Sequence, residues 1–141
     1  MNTPTEIAET DPMTTKLSTL WIFVMLNMLF ADIFSFMNPE FLKGLMSGSA
    51  EQVQITEGLL LGFAGVTEIS IAMVLLSRIL RYGLNRWANI IAGGITILYV
   101  IGGGSTMLHY LFFATIEVVS IGFIIWYAWN WKNPAGSLKS A

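Results

Sequence analysis

A chain of 141 residues that is 55% hydrophobic and only 11% charged departs from soluble proteins, in which about a quarter of the residues are charged. A bilayer pass needs about 20 apolar residues, so this length is expected to hold four passes with brief connections and no separate soluble domain. Without cysteine there are no disulfides, thiolate metal sites, iron–sulfur clusters or attached c-type haem, and a net charge of -2 does not point to nucleic acid or an acidic partner.

Residues 1–16 carry Glu6, Glu9 and Asp11 against Lys16, with Pro4 and Pro12, and read as a flexible cytoplasmic tail. A cleavable signal peptide has a basic start, so the first apolar segment is expected to be retained. Apolar runs place helices over residues 17–37, 56–80, 86–103 and 105–131, the four-helix transmembrane domain spanning 17–132, with a second cytoplasmic tail over 133–141. Asn38-Pro39 stops the first helix and starts a short interfacial one over 39–46, because Asn caps well and Pro suits the first helical position. Its Phe41, Leu42, Leu45 and Met46 would lie on the membrane, and Ser47-Gly48-Ser49 follows as a loop. Thr56 is placed to cap the second helix, and Gly102-Gly103-Gly104 ends the third. Ser105 or Thr106 then caps the fourth, which ends before Asn133-Pro134.

Basic residues set the expected orientation, since cytoplasmic loops carry the excess of Lys and Arg. Lys16, Arg78, Arg81, Arg86, Lys132 and Lys139 fall on one side and only Lys43 on the other, which puts both termini and the middle loop in the cytoplasm. Trp21, Trp87, Trp126, Trp129 and Trp131 lie near that side and read as interfacial anchors. Laying Glu68 on Glu117 brings Phe63, Ala64 and Ile69 onto Phe112, Phe113 and Val118. Two repeated hairpins would give that pattern, and so would chance similarity between apolar helices.

Polar stripes at helical spacing point toward a bundle interior. On helix two, Gly58, Gly62, Gly65 and Ala72 form a small-residue seam that would let another helix approach and would turn Glu68 inward. Helix four offers His109, Tyr110, Phe113, Glu117 and Ser120 on one broad face; helix three offers Asn89, Gly93, Thr96 and Gly103; helix one offers Trp21, Met25, Met28 and Asp32. Glu68 and Glu117 fall near the midplane, Asp32 in the outer half, and Glu57 and His109 near the outer surface. No Lys or Arg shares their depth. Each acid is therefore expected to be protonated, hydrogen-bonded to Ser, Thr, Asn or Tyr, or bound to a positive ligand.

One histidine cannot supply a pair of axial haem ligands, and the di-iron pattern of Glu-x-x-His is missing. No cofactor is expected. A divalent metal on Glu68, Glu117 and His109 would have to bridge different depths. Leu17-Ser18-Thr19-Leu20-Trp21-Ile22-Phe23, Leu75-Leu76-Ser77-Arg78 with Glu68 before it, and Asn85-Arg86-Trp87-Ala88-Asn89-Ile90 resemble a bacterial family of small four-helix membrane proteins of unknown function. That resemblance implies a four-helix protein of the bacterial inner (plasma) membrane and no particular activity. The layout is also similar, by architecture alone, to DoxX-like proteins. Small multidrug-resistance transporters share the size and an embedded Glu but carry it on the first helix, where this chain has Asp32.

The leading expectation is a non-enzymatic protein that binds or moves a small cationic or amphipathic molecule, or protons, through Asp32, Glu68, His109 and Glu117. The rival is a structural or accessory subunit of a larger membrane complex, whose acids bond to a partner helix; a homo-oligomer would instead favour the first reading. A third reading is a membrane enzyme acting on a lipid or quinone, with Glu68 or Glu117 as general acid, although no nucleophile or oxyanion donors accompany them.

Overall fold

Asp11 accepts the Met13 amide at 2.9 Å and Pro12 takes the first helical position. Helix α1 therefore spans Pro12–Phe36 in the computed structural model, which describes residues 11–50 and 53–132. The expected start at residue 17 marked the onset of hydrophobicity, whereas the cap and the proline set the onset of the helix. The tail over 133–141 and residues 1–10 of the tail over 1–16 lie outside the described residues.

Asn38 caps α2 (Pro39–Met46), its side chain accepting from the Glu40 and Phe41 amides at 2.9 and 3.1 Å. The chain then turns through Gly48, whose φ of 84° suits a residue without a Cβ. A short antiparallel ladder of β1 (Ser49–Ala50) and β2 (Val53–Gln54) follows. It adds extended pairing where only a loop was expected.

Thr56 caps α3 (Glu57–Ile79) by accepting the Leu59 amide at 3.2 Å. Next come α4 (Tyr82–Gly102) and α5 (Leu108–Asn130). The earlier start of α4, at Tyr82 rather than residue 86, goes with an anchor: the Tyr82 hydroxyl donates to the Trp131 carbonyl at 2.6 Å. The protein is thus all-helical apart from the small ladder. Helices α1, α3, α4 and α5 are each long and apolar enough to cross a membrane.

Sequence neighbours lie side by side. α1 packs on α3 and α5, and α4 packs on the same two helices, giving an up-and-down antiparallel ring. One end of the ring carries Lys16, Arg78, Arg81, Arg86 and Lys132; the far end carries α2, the ladder and Lys43. The core sits toward the basic end, where Leu17, Trp21, Val24 and Met28 of α1 meet Met73, Ala92, Ile121 and Ile124. Trp21 is 0% exposed and Trp131 is buried, so these two are core residues rather than interfacial anchors. Trp87, Trp126 and Trp129 remain exposed at the basic end.

The buried residues of helix α3, Ser70, Met73 and Ser77, all belong to the half nearer the basic end. In the other half Phe63 packs on Tyr99 of α4, but nothing lies within 4 Å of a Cβ built on Gly58, Gly62 or Gly65, so the small-residue seam meets no other helix among the described residues. The close helix approach occurs at Gly93 instead, where an added Cβ would come 2.9 Å from Ile125 Cγ1 and 3.1 Å from Ile121 Cγ2.

Candidate functional site

The buried stripe of α5 runs through Glu117, Ser120, Ile121, Ile124 and Ala128, spaced by three or four residues so that all fall on one side. Glu117 heads that stripe and is therefore carried into the bundle, 4% exposed, with Oε1 buried and without a hydrogen-bond partner among the described residues. Its charged neighbour is Asp32 of α1. Asp32 is itself exposed, at the rim of the bundle.

Tyr99 of α4 completes the cluster. It is half-buried, lies within electrostatic range of Asp32 and Glu117, and packs its ring edge-on against Phe63 of α3 with centres 5.7 Å apart. Helices α1, α4 and α5 thus each contribute one polar side chain: Asp32, Tyr99 and Glu117. Tyr99 did not stand out in the sequence. The available signal was helical spacing, because Tyr99 lies three residues beyond Thr96 on a face already marked as polar.

The other expected site residues lie elsewhere. Glu68 stands at the middle of α3 but is exposed and so is not turned inward. His109 is half-buried near the start of α5, eight residues before Glu117 and so about 12 Å along the axis from it. Its Nε2 lies 3.1 Å from Ser35 Oγ, and its ring centre lies 6.4 Å from that of Phe34. Because the Ser35 hydroxyl donates to the Ala31 carbonyl at 2.9 Å, His109 Nε2 is the donor in this arrangement. Among the expected interior acids, Glu117 alone is buried.

A second polar cluster, nearer the basic end, has buried and paired amides and hydroxyls, with exposed Arg78 at its edge. Asn89 Oδ1 accepts from Trp21 Nε1 at 2.7 Å and from Ser77 Oγ at 3.2 Å. Its Nδ2 donates to Asn85 Oδ1 at 2.7 Å and to the Asn85 carbonyl at 2.8 Å. Both donor and both acceptor capacities of this amide are thereby used. Asn85 Nδ2 in turn donates to the Ser77 carbonyl at 2.6 Å. Ser18 Oγ donates to the Val74 carbonyl at 2.7 Å and accepts from Arg78 Nε at 3.0 Å. This network ties α1, α3 and α4 together and presents no unmet group to a ligand.

The two clusters differ in chemistry. The satisfied amides hold structure, whereas two neighbouring acids with an unpaired oxygen can hold a proton or a positive charge. No set of three or more ligating side chains suited to a metal ion occurs among the described residues.

These features define a small helical protein with four candidate membrane spans around an acidic cluster. The chain matches a family model over residues 6–137 and belongs to that family, DUF6326, a family of unknown function. No curated protein and no solved structure matches the chain.

Proposed function

We propose that this is a multi-pass membrane protein, its basic end cytoplasmic, that binds or passes protons or a small cationic or amphipathic molecule at Asp32 and Glu117. The observation that carries this reading is Glu117 Oε1, buried without a hydrogen-bond partner and with another acid as its charged neighbour. A bare carboxylate in such a place is costly, and removing the cost takes a proton or a cation. Tyr99 supplies a hydroxyl beside the pair, and exposed Asp32 gives the cluster a route to the surface. Binding of the lipophilic cation tetraphenylphosphonium to the purified protein tests the cation reading. Glu117→Gln and Asp32→Asn should weaken it at least several-fold while Glu68→Gln leaves it unchanged.

A second reading, a subunit of a larger membrane assembly, is favoured by the open glycine face of α3 and the exposed Glu68 beside it. Glu68 there would face hydrocarbon at the middle of a span, which is unfavourable for a carboxyl group unless another helix or a ligand covers it. Single cysteines replacing Leu61 or Gly62 would crosslink to a neighbouring polypeptide in membranes under this reading and remain monomeric without it.

A further inference from the structure

Tyr82 and Arg86 stand one turn apart on α4, and both reach α5. The Tyr82 ring packs edge-on to Trp131 with centres 5.2 Å apart, and the Arg86 guanidinium carbon lies 5.6 Å from the centre of the Trp129 ring. A cation over an aromatic face is held electrostatically, but its N–H groups still need acceptors. Among the described residues, Arg86 Nε is buried and has none. Neither the first turn of α4 nor the last turn of α5 supplies an acid, and the carboxylate of Asp11 at this end is engaged by the Trp131 indole N–H at 3.2 Å and the Met13 amide at 2.9 Å.

A guanidinium presents a planar fork of donors that matches the oxygens of a phosphate. Beside it, Trp129 is 58% exposed and the next turn of the same helix face carries exposed Trp126, while exposed Lys132 follows Trp131 at the same end. Amphipathic rings and cations at one level, at the ends of membrane-length helices, belong at the headgroup layer. We infer that Arg86, seated on Trp129 and supported by the charge of Lys132, binds the phosphate of an anionic phospholipid in the leaflet at the basic end. The inference is independent of the acidic cluster and rests on the bilayer reading of the four helices.

Tryptophan fluorescence of the full chain in mixed micelles containing brominated phosphatidylglycerol or brominated phosphatidylcholine tests it. Brominated phosphatidylglycerol should quench at a several-fold lower mole fraction than brominated phosphatidylcholine. That preference should disappear in Arg86→Gln and persist in Lys43→Gln at the far end. Excess inorganic phosphate should leave the preference in place. Equal quenching by the two lipids, a preference unchanged in a folded Arg86→Gln, or competition by inorganic phosphate would each overturn the inference while leaving the bilayer reading intact. Absence of quenching by either lipid would overturn both. If Arg86→Gln fails to fold, Arg86→Lys keeps the charge without the fork and should lower the preference; an undiminished preference there also overturns the inference.

Discussion

The indole N–H of Trp21 donates to Asn89 Oδ1 at 2.7 Å, joining α1 to α4 across the diagonal of the helix ring. Adjacent helices share broad faces, so this bond between opposite helices fixes the spacing of the whole bundle near its basic end. Asn89→Leu would leave the Trp21 N–H, the Ser77 hydroxyl and Asn85 Oδ1 without their partner. Each group left unpaired costs about 1–3 kcal/mol, so the expected loss is several kcal/mol. Trp21→Phe should cost less, because Ser77 still donates to Asn89. Unfolding in mixed micelles would rank the two.

Gly93 provides a packing test. Gly93→Leu would drive a branched side chain into Ile121 and Ile125, and overpacking of this kind costs about 1–3 kcal/mol. Gly62→Leu meets open space and should leave the melting temperature of the detergent-solubilised monomer unchanged.

These two glycines show what could be read from residues alone. Long apolar runs, the Asn38 and Thr56 caps and the break at Gly102 to Gly104 locate four long helices and α2, because composition and capping are local properties. The face of α3 that meets a neighbour is not local. The seam of Gly58, Gly62 and Gly65 permits close approach, yet α3 turns Ser70, Met73 and Ser77 to the bundle and leaves the glycines uncovered. Glu68 goes outward with them. Glu117 was legible as an interior acid because it begins a stripe of buried positions along α5. The nearness of Trp21 to the basic end suggests an interface, whereas the partner that places it in the core, Asn89, lies 68 residues away in sequence.

Orientation has its own test. Single cysteines at Gly83, in the first turn of α4 at the basic end, and at Ser49, in the ladder at the far end, should react with an impermeant thiol reagent from opposite sides of the membrane. Gly83 should be reached only from the cytoplasmic side. Labelling of Gly83 from outside intact cells would reverse the proposed topology.

Tyr99 stands within electrostatic range of the two acids and packs against α3. Tyr99→Phe removes the hydroxyl and keeps the ring that packs edge-on against Phe63, 5.7 Å between centres. The fold should therefore persist, and tetraphenylphosphonium binding should weaken several-fold. Equal binding by wild type and Tyr99→Phe would remove Tyr99 from the site.

The protonation and ligation of Glu117 itself is the most direct test of the acidic site. Infrared difference spectra of the protein, with and without tetraphenylphosphonium and across a pH titration, report its carboxyl group when compared with Glu117→Gln. The predicted result is a protonated carboxyl band that converts to carboxylate on cation binding or alkalinisation, is missing in Glu117→Gln, and survives in Glu68→Gln. A Glu117 that is a free carboxylate throughout, in a folded protein with no bound cation, would contradict the account.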